Sequence, residues 1–83
     1  AQELWLARPG TAPIRLTSGG KGALAPRWSP DGRWIAFADD RGDGRQLYLL
    51  RAAGGEARRL TRVKEGVGQF EWSPAGDRLA FTA

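Results

Sequence analysis

Apolar and polar residues alternate along this chain in short bursts separated by turn-forming clusters. Residues 3–7, 13–16, 25–29, 34–38, 46–51, 56–60, 68–73 and 78–82 gather most of the Trp, Ile, Phe, Tyr and Leu, and clusters of Gly, Pro and Asp divide them. Short runs of this kind, bounded by such punctuation, read as β-strands because aromatic and β-branched side chains pack well on a pleated surface. No segment sustains an apolar period of 3.6 residues long enough for a helix. The pattern predicts an all-β chain.

The strands recur in order. Trp28-Ser29-Pro30-Asp31-Gly32 precedes Ile35-Ala36-Phe37, and Trp72-Ser73-Pro74-Ala75-Gly76 precedes Leu79-Ala80-Phe81, a separation of 44 residues. Leu16-Thr17 and Leu60-Thr61 keep the same separation. Leu4-Trp5-Leu6 and Leu47-Tyr48-Leu49 stand 43 apart, so a one-residue insertion lies between them. A period of roughly 40–45 residues built from four short strands marks a β-propeller blade.

The phase of the repeat gives strands three and four, then one to four, then one and two. The expected fold is therefore a β-propeller fragment of about two antiparallel four-stranded blades. One half blade covers residues 1–22, a complete central blade 23–61, and a second half blade 62–83. The chain starts and stops beside strands, which reads as a piece cut from a longer protein. Open strand edges invite pairing. The expected partners are other copies of the chain, completing its half blades, or the remainder of a parent propeller. Head-to-tail contacts close into rings. Three or four copies would give a six- or eight-bladed ring, with a two-fold dimer as the alternative.

The turn inside the repeated motif has its own chemistry. Pro30 presets φ for the second position of a type I turn, Ser29 can bond the backbone at its entrance, and Gly32 takes the final position where positive φ is cheap. Ser73-Pro74-Ala75-Gly76 keeps each of these except the acid. Asp31 accordingly reads as a turn-former.

Composition narrows the chemistry further. There is no His and no Cys among the 83 residues, which removes the commonest zinc ligands and any disulfide. No run of about 18 apolar residues offers a membrane span, and no signal peptide is visible. Thirteen Lys and Arg against nine Asp and Glu leave a net charge of +4. The arginines are interleaved with acids, and only Arg58, Arg59 and Arg62 cluster, so neither a nucleic-acid nor a membrane partner is expected. Asp39, Asp40 and Asp43 could in principle hold a hard cation, but they lack the spacing of a calcium loop. They are expected in the hairpin between strands two and three, where Asp and Gly are ordinary turn residues. No metal and no cofactor is expected.

Catalysis has little to work with. A serine nucleophile needs a base and an orienting group. Ser18, Ser29 and Ser73 are the only serines, and Ser29 and Ser73 belong to the repeated turn. No catalytic residue is assigned, and the chain alone is not expected to be an enzyme. Trp28 and Trp72 recur at the repeat period and are expected to pack between blades. Trp34 aligns with Arg78, so it is expected to be partly exposed and is a candidate contact residue. Phe70, beside Gly66-Val67-Gly68, is a second candidate, at the inner edge of the propeller channel.

The segments WSPDGRWIAF, QLYLL and GGEARRLT resemble the WD-like repeat of two protein groups: the N-terminal propeller of prolyl oligopeptidase and acylaminoacyl peptidase relatives, and the periplasmic TolB-like propeller. The resemblance covers the whole chain. The Val67-x-x-Phe70-x-Trp72 run is closer to the peptidase version. Pro26, two residues before Trp28, follows the TolB version, whereas Phe70 takes that place before Trp72. The peptidase group is preferred. That resemblance implies a non-catalytic propeller segment that packs on an α/β-hydrolase domain and filters substrates by size, with the catalytic serine, aspartate and histidine all in the hydrolase domain. None of them maps onto this chain. The cytoplasm is the expected compartment, with the periplasm as the TolB alternative. A protein-binding TolB-like segment, or a self-assembling repeat scaffold, is the second reading.

Overall fold

The structure is a computed structural model and describes residues 2–83. Eight strands form three antiparallel sheets among the described residues. A hairpin of β1 (Trp5–Leu6) and β2 (Ile14–Arg15) leads into a four-stranded meander of β3 (Leu24–Trp28), β4 (Trp34–Asp40), β5 (Arg45–Arg51) and β6 (Arg58–Arg59). A second hairpin follows, of β7 (Phe70–Trp72) and β8 (Leu79–Phe81). The result is one complete blade between two half blades.

The central ladder joins β4 to β5 over seven residue pairs, from Trp34 opposite Arg51 to Asp40 opposite Arg45. Side chains alternate across a strand, and both faces of β4 are covered. Ile35 and Phe37 point toward the first hairpin, where they pack with Leu4, Ala23, Tyr48 and Leu50. Phe37 stacks on Tyr48 with ring centroids 5.7 Å apart. Ala36 and Ala38 point the other way, onto Leu47, Val67 and Phe70. A strand buried on both faces reads as a near-continuous apolar run, as Ile35-Ala36-Phe37-Ala38 does.

β3 is the inner edge and is irregular. Its pairing with β4 slips between Leu24 and Arg27, and Ala25 takes a positive φ of 53° there. One extra residue in such a bulge bends the strand. Pro26, which has no amide to give to a ladder, sits in the slipped stretch.

β4 runs two residues further than the sequence suggests, so Asp39 and Asp40 belong to the strand and not to the hairpin. Burial of Asp39 is made tolerable by its partners. Its carboxylate accepts the amides of Gly22 (3.1 Å) and Asp40 (2.8 Å), and Arg41 Nε at 3.2 Å. The turn itself is Arg41-Gly42-Asp43-Gly44, tied by the Gly42 and Gly44 amides to the Asp40 carboxylate at 2.9 and 3.2 Å. A buried charge survives only when it is paired and hydrogen-bonded, and Asp39 is both.

A polar clasp occurs twice, once beside β1 and β2 and once beside β5 and β6. The Thr61 hydroxyl donates to Gln46 Oε1 (2.7 Å) and accepts the Leu47 amide (2.9 Å). The Thr17 hydroxyl donates to Glu3 Oε1 (3.0 Å) and accepts the Leu4 amide (2.9 Å). These bonds fasten the residue after strand four to the start of strand three.

Candidate functional site

The chemistry-bearing residues of the repeated motif are occupied by the fold. Ser29 is buried; its hydroxyl donates to Asp31 Oδ1 (2.7 Å) and accepts the Trp34 amide (3.0 Å). The Gly32 amide closes the turn on the Ser29 carbonyl at 2.9 Å, with Gly32 at a φ of 74°. The Ser29 hydroxyl, followed by the Arg33 amide, holds the Asp31 carboxyl below the ordinary aspartate value of 3.8. In the second copy Gly76 bonds the Ser73 carbonyl at 2.9 Å around Pro74, and the Ser73 hydroxyl donates to Asp77 at 3.0 Å. The acid missing at Ala75 is supplied two positions later.

Several charged side chains are likewise paired. Arg59 forms an ion pair with Asp43 and donates from Nε to the Thr61 carbonyl. Lys21 reaches Asp40 at 3.7 Å, and the Gly42 amide, with Lys21 adding its charge, holds the Asp40 carboxyl below 3.8. No cluster of His, Cys, Asp or Glu suited to a metal ion occurs among the described residues. No helix there is long and apolar enough to cross a membrane.

What the chain presents is a set of blade faces. The junction between the central blade and the second half blade is fully formed. Trp72 and Leu79 lie opposite each other on the face turned toward β3 and β4. The Trp72 indole Nε1 donates to the Arg27 carbonyl at 3.0 Å, a bond from one blade to the next. Trp28 holds the same repeat position but is 53% exposed. Among the described residues the first half blade consists of β1 and β2. Trp72 reaches the blade before it, and no such strand precedes Trp28 among the described residues.

The two candidate contact residues part company. Trp34 is half-exposed at the start of β4, with the Arg51 guanidinium 5.0 Å from its ring centroid. Phe70 is not a surface residue: it is buried against Ala36, Ala38, Leu47 and Val67. β7, the repeat equivalent of the inner strand β3, turns Phe70 under the central blade, on the same face as Trp72. An open groove of about 490 Å³ runs past it, lined by Ala25, Arg27, Arg45, Glu71 and Phe81 among others.

The sequence reading missed Thr17, Thr61, Glu3, Gln46, Asp39 and Asp77 as organising polar residues. The repeated Leu-Thr pair was a visible signal for the two threonines. The relocation of an acid from the position of Asp31 to Asp77 follows no fixed spacing.

Known proteins fit this geometry. No protein-family model matches the chain. A solved TolB-named chain from Agrobacterium tumefaciens superposes with a TM-score of 0.74 at 36% identity, covering 84% of this chain and 25% of that one. The repeats are those of a TolB-like β-propeller. The TolB-like repeats here are also 49% identical over 70 residues to an uncharacterized peptidase, YuxL, of Bacillus subtilis, covering 83% of this chain and 11% of that protein. The Tol-Pal system protein TolB of Alcanivorax borkumensis is 37% identical over 60 residues, covering 71% of this chain and 14% of its own length. The TolB-like chain thus spans a quarter or less of each of these proteins.

Proposed function

We propose that this TolB-like segment is a non-catalytic part of a peptidase propeller, helping to gate substrate access and to pack the propeller on a hydrolase domain. The observation that carries the reading is the 49% identity to a peptidase-named protein over 83% of the chain, against 37% for a Tol-Pal TolB over 71%. The Val67-x-x-Phe70-x-Trp72 run supports it. The fold analogy alone would not choose a function.

The second reading, a protein-binding TolB-type propeller, is favoured by the Tol-Pal names and by the structural match. Those names favour the periplasmic alternative, and nothing among the relatives favours the cytoplasm.

Sequencing the gene downstream of the Ala83 codon discriminates between them. The expected result is an open reading frame continuing into a strand–turn–helix with Gly-x-Ser-x-Gly, the nucleophile elbow of an α/β-hydrolase. A frame that closes after further propeller repeats overturns the peptidase reading.

A further inference from the structure

Arg41 is held more firmly than a surface ion pair requires. Its Nε donates to Asp39 Oδ2 at 3.2 Å, and its guanidinium carbon stands 4.8 Å from the centroid of the Tyr48 ring. The Asp39 side chain is fully buried and also accepts the Gly22 and Asp40 amides, so it is a fixed anchor. One edge and one face of the guanidinium are therefore set by the fold. Its two Nη groups make no hydrogen bond among the described residues, and 36% of the side chain is exposed. Neutralising Asp39 uses Nε alone. The Nη groups are left over.

Arg41 borders an open groove of about 390 Å³ between the first half blade and the central blade. One wall is residues 16–18, which follow β2, and the other is residues 55–57, which lead into β6. Every residue that lines it lies well inside the chain. Ser18 and Glu56 are exposed in these walls, and neither the hydroxyl nor the carboxylate has a partner among the described residues.

We propose that this groove binds a peptide by its C-terminal residue, with the terminal carboxylate on Arg41 and Ser18 and the N–H of that residue on Glu56. The inference stands apart from the choice between a peptidase and a TolB-type parent. It rests on the way Arg41 is held.

A guanidinium presents its N–H donors in a rigid fork that matches a carboxylate. Fixing the fork beforehand removes part of the ordering cost that binding otherwise carries. Glu56 selects among anions. Its charge opposes a phosphate dianion more than a carboxylate monoanion, since repulsion scales with the product of the charges. Its oxygens also offer an acceptor to a ligand that brings a donor beside its carboxylate, as the last residue of a peptide does.

The test is an NMR titration of the isotope-labelled protein at constant ionic strength. The probes are N-acetyl-dialanine, its C-terminal amide, acetate and inorganic phosphate. The acid peptide is expected to shift the Arg41 Nε–H and the Ser18 and Glu56 amides, half-saturating at about 1–10 mM, where two charge-assisted hydrogen bonds place a small ligand. Acetate lacks the N–H and is expected to bind about fivefold more weakly, the worth of one hydrogen bond. The peptide amide and phosphate are expected to give no saturable response.

Two variants separate binding from support of Asp39. Arg41→Lys keeps a positive charge beside Asp39 but loses the fork, and peptide binding is expected to fall at least about tenfold. Glu56→Gln alters an exposed side chain outside the packed core. It is expected to leave the fold unchanged and to tighten acetate about two- to fivefold by removing a nearby like charge. Equal peptide binding by Arg41→Lys overturns the proposal, as does an amide that binds as well as the acid. Phosphate binding as tight as that of the peptide overturns the assignment to a peptide terminus. Drift without saturation up to about 100 mM is charge screening alone and overturns the site.

Discussion

At the residue scale, the repeated motif conserves an interaction more strictly than an identity. Both turns need an acceptor for a serine hydroxyl that is itself accepting the amide at the start of the next strand. Asp31 provides it in the first copy and Asp77 in the second, on opposite sides of the glycine. The Ser29 hydroxyl on Asp31 and the Gly42 amide on Asp40 are expected to make the fold acid-sensitive. The Asp31 and Asp40 carboxyls are held below 3.8, so their contribution to stability is complete above that value. It is lost as pH falls from about 4 through the folded-state values, because the unfolded chain takes up protons first. Urea midpoints are expected to be flat between about pH 7 and pH 4.5 and to drop toward about pH 3. In Asp31→Asn/Asp40→Asn that drop is expected to be smaller. An unchanged acid limb in the variant would assign the sensitivity to other carboxylates.

At the scale of the element, β4 organises the molecule, and its far end depends on a close approach by the loop before β3. Gly20 has a φ of 72°, and a Cβ there would lie 2.4 Å from Asp39 Oδ2. Gly20→Ala therefore combines a left-handed backbone with a collision against a buried, fully engaged carboxylate. Backbone strain alone costs about 1–3 kcal/mol, and thermal melts are expected to show at least that loss. Gly10→Ala shares the positive φ without the collision and is expected to lose less. This loop also marks the limit of what the sequence discloses. All eight strands were legible, because short apolar runs are cut by turns that carry Pro and Gly and because the strands recur at the repeat period. The extension of β4 was not, because Asp39 and Asp40 have poor strand propensity and are held by contacts from Gly22, Arg41 and Lys21 that no local pattern announces. The exposures of Phe70 and Trp28 were not legible for a related reason. They depend on which neighbouring strands are present, not on the residues beside them.

For the whole molecule, order is expected to be graded outward from the central blade. The β4–β5 ladder has neighbours on both sides and a packed layer on each face. β7 and β8 pair only with each other among the described strands. Amides that open only with the whole core exchange slowest, so hydrogen exchange is expected to retain Phe37 and Tyr48 longest and to release Ala80 and Phe81 first. Uniform protection would contradict this hierarchy. The tie between blades has a further consequence. Trp72 grips a main-chain carbonyl, not a side chain, so the residue at position 27 can change without disturbing the bond. A bond of this kind tolerates substitution at its acceptor. A gene that gained or lost a 44-residue unit would keep each tryptophan opposite a main-chain acceptor, leaving the apolar packing around Phe70 and Leu79 as the part of the junction that must still match.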